Sequence, residues 1–385
     1  MRKVPKLRFK EFSDEWKEKK LGEFGKISMC KRIMKDQTTL TGDIPFYKIG
    51  TFGKKADAYI DKKLFEEYKE KYSFPKKGDI LLSASGTIGR TVIYDGKPAY
   101  FQDSNIVWIA TNEKIILNSF LNYLYSNIKW TIENTTIARL YNDNLANMKV
   151  NIPFLQEQEK IANFLSSVDK KISLTEEKLE LFREYKKGVM QKIFSQELRF
   201  KDSEGNDYPE WEEKRLEEVT ECLDNLRKPL NSNEREKIKG NIPYYGANGI
   251  QGYINNYIFN EELVLLAEDG GNFDDYLTKP IAQYVQGKSW INNHAHVLKG
   301  KKVLKTKFLY FSLVHKDIRS FINGTSRSKL NKSNMLNIII LLPTVEEQHK
   351  IADFLSSIDS KIESIEKELE RLKEFKKGLL QQMFV

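Results

Sequence analysis

Cysteine and histidine are both scarce in this sequence of 385 residues. The two cysteines, Cys30 and Cys222, stand far apart and lack metal-ligand spacing, which predicts reduced thiols in a cytosolic protein. Among the four histidines, His294 and His296 lie two positions apart, and a metal site would need a third ligand nearby. We therefore interpret these two as hydrogen-bonded structural residues and predict no metal centre.

Long apolar runs are missing as well. No window approaches the roughly 18 uninterrupted apolar residues of a membrane-spanning helix. The N-terminal stretch MRKVPKLRFKEF also lacks the apolar segment of a signal peptide. We therefore expect no membrane partner and a cytoplasmic location.

Catalytic motifs are absent or incomplete. The sequence contains no GxSxG, HExxH or CxxC. DIPF (43–46) and NIPY (241–244) carry isoleucine where the N-P-P-Y motif of amino-methyltransferases has proline. In AQYVQGKS (282–289) alanine replaces the first glycine of a phosphate-binding loop, and the E-x-K at 212–214 lacks the preceding aspartate of a nuclease. The sequence predicts a binding protein, with an enzyme that uses an unrecognised site as the alternative.

Positive charge is what the sequence has in excess. It has 63 lysines and arginines against 54 acidic residues, a formal net charge of +9. This makes a polyanion the first partner to consider, although a merely lysine-rich surface is the alternative. The chain is also long enough for two or three domains.

A tandem repeat organises the chain. Without gaps, residues 155–194 and 345–384 are identical at 21 of 40 positions. A shorter pair lies upstream, at 7–24 and 198–219. The chain therefore reads as a duplication of head, variable body and helix.

The repeated segments carry heptads that predict two long helices of about 60 Å each. We expect them to form an antiparallel coiled coil between the bodies, related by a pseudo-twofold; the alternative is that each packs on its own body alone. Gly188 and Gly378 interrupt both patterns and indicate either a bend or a close contact. The expected domains are body 1 (1–152), a helical spacer (153–195), body 2 (196–342) and a second spacer (343–385).

The two bodies diverge but keep one order of elements. Each has an I-P-aromatic turn, an apolar strand ending in glycine, a second strand and an aromatic-rich helix. Strands and helices without a βαβ rhythm predict an α+β fold class. Different loops on one scaffold indicate that each body recognises something different.

The candidate DNA-contacting residues are basic, amide or tyrosine side chains in the divergent loops. Arginine pairs with guanine and asparagine with adenine, whereas lysine mostly contacts phosphates. For each residue the alternative is a solvated surface position. The candidates are Lys31, Arg32, Arg90, Arg139 and Tyr141 in body 1, and Arg227, Lys228, Tyr245, Asn248, Lys288, Arg327 and Lys329 in body 2.

The P-x-x-x-E-Q-x-K-I-A-x-F-L-S-x-x-D segments at 153–169 and 343–359, with NNHAHVLK and YYGANGIQGYI, resemble the specificity subunits of type I restriction–modification systems. The resemblance covers essentially the whole chain. It implies two target recognition domains that read a bipartite DNA site with a gap set by the coiled coil. It also implies that adenine N6 methylation and DNA cleavage belong to separate methyltransferase and restriction subunits. S-adenosylmethionine, ATP and Mg²⁺ would then be cofactors of those partners, with none in this chain.

Two methyltransferase subunits would meet similar surfaces on the two copies. We therefore predict partner contacts at residues that are identical between copies and lie off the heptad seam: Gln158, Lys160, Asp169, Gln348, Lys350 and Asp359. The rival to the DNA-reading hypothesis is an adaptor that joins two proteins, whose binding would be insensitive to salt.

Overall fold

A computed structural model describes residues 4–130, 139–324 and 328–385. Its contacts divide the chain into two compact units, residues 1–176 with 367–385 and residues 177–366. The elements up to the first long helix are β1 (Lys17–Lys20), β2 (Gly25–Ser28), β3 (Ile44–Tyr47), β4 (Tyr59–Ile60), α1 (Lys62–Lys71), β5 (Ile80–Ser83), β6 (Thr91–Ile93), β7 (Tyr100–Phe101), β8 (Ile106–Thr111), α2 (Asn118–Tyr125), α3 (Asn142–Asn147), β9 (Lys149–Ile152) and α4 (Leu155–Phe194).

The second half keeps the order of these strands, with one short strand and short helices added, and residues 255–262 contain no helix at the place of α1. Its elements are β10 (Glu212–Arg215), α5 (Leu216–Val219), β11 (Thr220–Cys222), α6 (Ser232–Lys237), β12 (Lys239–Gly246), β13 (Gly249–Ile254), β14 (Phe259–Asn260), β15 (Leu263–Ala267), β16 (Ala282–Val285), β17 (Lys288–Ile291), β18 (Ala295–Gly300), α7 (Thr306–Leu313), α8 (Lys332–Leu336), β19 (Ile339–Leu342) and α9 (Val345–Met383).

The two bodies share one sheet topology, apart from the additional edge strand β14 in body 2. Body 1 has sheets ordered β2-β8-β5-β6, β4-β3-β7 and β1-β9, and body 2 has β11-β18-β15-β16, β13-β12-β17-β14 and β10-β19. Neighbouring strands are antiparallel except for β3 with β7 and β12 with β17. This mixture of helices with largely antiparallel sheets confirms the predicted α+β class.

The central strands of each body are buried on both faces. All four residues of β5 and all five of β15 are buried, which explains their nearly unbroken apolar sequence. On one face they pack against α2 or α7 and a long helix, and on the other against a smaller core. The loops at the strand ends are therefore held on a rigid support.

The two long helices run antiparallel, side by side, within each unit. Their heptad residues form the buried seam, as predicted; Ile161 and Leu165 in α4 and Ile351 and Leu355 in α9 are at most 2% exposed. Helix–helix contact excludes the alternative in which each helix packs only on its own body. The ion pairs between α4 and α9 include Asp169–Lys376 at 2.5 Å and Glu176–Lys373 at 2.6 Å in the first unit, and Arg183–Glu366 at 2.7 Å and Lys186–Asp359 at 2.5 Å in the second.

A buried glutamate anchors each head on the start of a long helix. Glu157 accepts hydrogen bonds from Arg8 at 2.8 Å and from the Trp16 indole at 3.3 Å. The second copy repeats this cluster, and there Glu347 accepts from the Trp211 indole at 2.9 Å. The glutamate of the repeated E-Q pair therefore has a structural role in both copies.

Three details differ from, or choose between, the sequence-based expectations. The I-P-aromatic segments lie inside β3 and β12 rather than in turns; at Pro45 the strand has a neighbour on one side only, so the missing N–H breaks no ladder. The aromatic-rich helices, which the sequence predicts over 119–130 and 307–321, end earlier, at Tyr125 and Leu313. A Cβ at Gly188 would meet nothing within 4 Å, which excludes a close contact there.

The described residues contain no helix that is both long and apolar enough to cross a membrane. The domain boundaries expected from the sequence stay a proposal.

Candidate nucleic-acid interface

A polar cleft opens among the loops of body 1. It has a volume of about 680 Å³ and lies between the segment that follows β2, the end of β3 and the turn between β7 and β8. Arg32 and Arg139, two of the predicted DNA-contacting residues, both line it. The structure thus brings together residues that lie more than 100 positions apart in the sequence.

The turn between β7 and β8 contributes four consecutive residues to the lining of this cleft, Gln102 to Asn105. Arg32 donates from Nε to Asp103 Oδ2 at 2.9 Å, and its side chain is 66% exposed. Ser104 holds a left-handed backbone conformation with φ of 59° and donates to the same Asp103 oxygen at 3.2 Å. Such strain in a residue other than glycine is typical of functional sites.

The other body 1 candidates have different surroundings. Lys31 is exposed with its ammonium over the Tyr72 ring, and the Arg139 guanidinium lies 5.9 Å from the ring centre of exposed Tyr141. Arg90 donates inward to the Ile49 carbonyl at 3.1 Å. Arg90 is therefore held against its own body and is not part of the DNA surface that we propose.

In body 2 the candidate Arg227 is enclosed by acceptors. Its Nη1 donates to Glu268 at 2.6 Å and to the Ala295 carbonyl at 2.9 Å, and its Nη2 lies 3.4 Å from Asp224. The side chain is only 14% exposed. Arg227 is therefore a structural residue in this arrangement rather than part of an open DNA-contacting surface.

His296 completes this buried network. Its Nδ1 lies 2.6 Å from Asp224 Oδ2, and its Nε2 lies 2.8 Å from the Leu330 carbonyl oxygen. Burial by itself raises the pKa of Asp224, but the hydrogen bond and charge of His296 bring it below its ordinary value. For Glu268, too, burial raises the pKa, and the bonds from Arg227 and Lys329 turn the net shift downward.

The acidic and histidine groups of this network have the ligand types of a metal site. Ligand atoms of Asp224, Glu268 and His296 lie within 4.8 Å of one another. However, two cationic side chains already pair with these acidic groups. They are the guanidinium of Arg227 and the ammonium of Lys329, which is 3.2 Å from Glu268. The arrangement is a satisfied ion-pair network.

The remaining body 2 candidates have different surroundings. Lys228 is exposed, Tyr245 is half-buried, which raises its pKa, and Asn248 donates to the Gly270 carbonyl at 2.7 Å. Lys288 lies over the Tyr257 ring. Arg327 lies outside the described residues.

The sequence-based candidates did not include the amide and histidine side chains in the turns between β7 and β8 and between β17 and β18. Gln102 and Asn105 line the cleft of body 1. In body 2, His294 is 41% exposed and lies 2.6 Å from Asp269. The signal was the polar run between two apolar strands, QDSN in body 1 and NNH in body 2.

The predicted partner residues are mostly engaged inside the protein. Gln158 is fully buried and binds the Leu117 amide and the carbonyls of Ile115 and Pro153; Gln348 repeats this with the Lys305 amide and the carbonyls of Val303 and Pro343. The structure gives these two glutamines an internal role, so they are not part of the partner surface that we propose. The other four stay at least partly exposed and also have internal contacts: Lys160 with Glu11, Lys350 with the Lys201 carbonyl, Asp169 with Lys376, and Asp359 with Lys186.

A more exposed face recurs on both long helices. Tyr185 and Phe375 are 51% and 53% exposed. Each is followed three positions later by a glycine and lies beside residues that are identical between the copies. We call this the repeated face; it comprises Glu180, Glu184, Tyr185, Gly188 and Gln191 in α4 and Glu370, Glu374, Phe375, Gly378 and Gln381 in α9.

Comparison with known proteins agrees with this architecture. The family model of the type I restriction modification DNA specificity domain matches residues 13–181 and 208–374. The type I restriction enzyme MjaVIII specificity subunit of Methanocaldococcus jannaschii is 26% identical over 95% of this chain and 91% of its own. A putative type I restriction enzyme specificity subunit of Haemophilus influenzae is 62% identical over 150 residues, 39% of each chain.

Among solved structures, the S subunit of a type I restriction–modification system from M. genitalium shares the fold. It has a TM-score of 0.65 at 19% identity and covers 99% of both chains. The chain therefore belongs to the type I restriction–modification DNA specificity family, as a specificity subunit with two recognition domains.

Proposed function

We propose that this specificity subunit reads an asymmetric bipartite DNA site, with one half read by each body. It directs adenine N6 methylation and restriction by partner subunits. The observation that carries the proposal is the contrast between the bodies: they share one sheet topology, yet Arg32 is 66% exposed and Arg227 is 14% exposed. Readers built differently on one scaffold have different base preferences.

The decisive experiment maps methylated adenines in cells that carry the intact system and in cells that lack this chain. We expect one split motif with two unlike halves and a fixed gap, present only with the chain. A palindromic or continuous motif, or methylation that persists without the chain, contradicts the proposal.

The salt dependence of binding distinguishes a DNA reader from an adaptor that joins two proteins. A DNA reader releases counterions from the duplex, so we expect the logarithm of its affinity to fall steeply and linearly with the logarithm of salt concentration. A duplex with a scrambled motif serves as the control for non-specific binding. Specific binding with no salt dependence contradicts the proposal.

We also propose that catalysis lies in the partners, which bind S-adenosylmethionine, ATP and Mg²⁺, and that the complex works in the cytoplasm, where its DNA is. The purified chain incubated with DNA and S-adenosylmethionine should give no methyladenine. Methylation should start when the methyltransferase subunits are added. Methylation by the chain alone contradicts this assignment.

The repeated face, together with Lys160, Lys350, Asp169 and Asp359, is our proposed surface for two methyltransferase subunits. The support is its duplication, because two copies of one partner need two similar surfaces. We expect the double variant Tyr185→Ala, Phe375→Ala to lose co-purifying methyltransferase. The control is Leu174→Ala, which removes a 55% exposed side chain of α4 that has serine at the matching position of α9.

A further inference from the structure

Arg32 and Arg227 hold equivalent places in the two bodies. In β2, Ile27 pairs with Ile109 of β8, and in β11, Cys222 pairs with Leu298 of β18. Arg32 lies five positions after Ile27, and Arg227 lies five positions after Cys222. The same chain position is therefore open in one body and enclosed in the other.

The cause lies in the residues beneath the loop. The sheet registers place Ala84 and Val107 of body 1 where body 2 has Glu268 and His296. Body 1 thus lacks the carboxylate and imidazole that surround Arg227. Arg32 consequently stays at the surface, with Asp103 as its ion-pair partner.

The contact with Asp103 also sets what Arg32 can bind. Only Nε is used, at 2.9 Å, and neither Nη atom has a partner among the described residues. An arginine held through Nε presents both Nη groups as a fork, which matches the two acceptors N7 and O6 on the major-groove edge of guanine.

Gln102 adds a second donor group to the same cleft. Its Oε1 accepts a hydrogen bond from the Ile49 amide at 2.9 Å, so its Nε2 points away from Ile49. Within the described residues that nitrogen has no hydrogen-bond partner. The groups of Arg32 and Gln102 that have no partner in the described part of the chain are thus donors, and guanine is the base whose major-groove edge offers two acceptors and no donor.

We propose that Arg32 reads a guanine in the half-site of body 1, that Asp103 positions it, and that Arg227 has no reading role in body 2. This inference rests on the proposed function and specifies the base and the residue. Ser104, in its left-handed conformation, holds Asp103 in turn.

The test uses the complex with its methyltransferase subunits and a duplex that carries the mapped motif. Each guanine is replaced in turn by 7-deazaguanine, which pairs normally but lacks the N7 acceptor. With the wild-type complex we expect one guanine in one half-site whose replacement weakens binding about 5- to 150-fold. With Arg32→Ala the same replacement should have no further effect.

Lys31→Ala is the matched control, because it removes a neighbouring exposed cation from the same loop. We expect it to weaken binding similarly for all sequences and to leave the 7-deazaguanine effect intact. Asp103→Asn should reduce the 7-deazaguanine effect on binding and leave the midpoint of thermal unfolding unchanged. Asp103→Glu should restore part of the 7-deazaguanine effect. Arg227→Gln should lower the thermal midpoint, whereas Arg32→Gln should not.

The outcomes separate the two proposals. If the wild-type complex methylates no split motif, the proposed function fails. If the motif is split but lacks a guanine coupled to Arg32, or if Arg32→Ala keeps the full 7-deazaguanine effect, this inference fails alone. An unchanged thermal midpoint in Arg227→Gln overturns the structural assignment of Arg227.

Discussion

At the residue scale, several residues that are identical in the two copies stabilise the fold through buried hydrogen bonds. Glu347 is fully buried between Arg199 and the Trp211 indole, and its neighbour Gln348 bridges three backbone groups of its own body. A buried acceptor of this kind is costly to change, because its donors lose their partner. Identity between repeats therefore reports shared packing at these positions.

We expect Glu347→Gln to lower the free energy of unfolding by about 1.5–3 kcal/mol, because it removes a charged acceptor from two donors. Thermal unfolding of the purified chain measures this. Glu346→Gln, at the exposed neighbouring position, is the control and should change little. Equal effects of the two variants would contradict the anchoring role of Glu347.

The carboxylates around Arg227 should make the stability of body 2 sensitive to acid. Their pKa values are lowered in the folded state from 3.8 for Asp224 and 4.5 for Glu268. Groups with lowered pKa values stabilise the fold above their unfolded values, and this stability is lost as pH falls through the folded values. We expect Glu268→Gln to lower the unfolding midpoint at pH 7, and the difference from wild type to shrink below about pH 4. A difference that grows on acidification would contradict the assignment.

At the element scale, the long helices combine a buried seam with polar pairs and an open glycine in each copy. Lys186 and Lys376 occupy seam positions and pair with Asp359 and Asp169. A charged residue in a seam favours one register over others because a shifted register would leave it unpaired. The helices therefore carry their own alignment information.

Gly188 and Gly378 stand in continuous helix, with no neighbour that a methyl group would displace. We expect alanine at either position to stabilise the chain by about 0.5–1 kcal/mol, because glycine loses more backbone entropy in a helix. Gly249→Ala is the contrasting control. There is space around it, but its φ of +133° disfavours a side chain, so the midpoint should fall.

At the scale of the whole molecule, each helix is continuous through both units, over 40 residues in α4 and 39 in α9. We propose that their length sets the gap between half-sites. Inserting one heptad into both helices, after residues 176 and 366, adds about 10.5 Å. At about 3.4 Å per base pair, the gap should grow by about three base pairs with both half-sites unchanged. Methylated-adenine mapping measures this; an unchanged gap contradicts it.

The sequence by itself determined the periodic features of this protein. The heptads predicted a buried helical stripe, and the short apolar runs that end in glycine predicted strands, because the spacing of apolar residues follows the periods of these elements. The duplication then required two bodies of one topology. None of these conclusions needed contacts between distant residues.

Only the tertiary structure decided what each polar side chain does. Arg32 and Arg227 look alike in the sequence, and their difference depends on Ala84, Val107, Glu268 and His296, which the sheet register places nearby. Gln158 looked like a surface residue until the fold placed it beside the unpaired backbone groups at the start of α2. A side chain's role depends on which donors and acceptors surround it, and folding brings these together from distant parts of the chain.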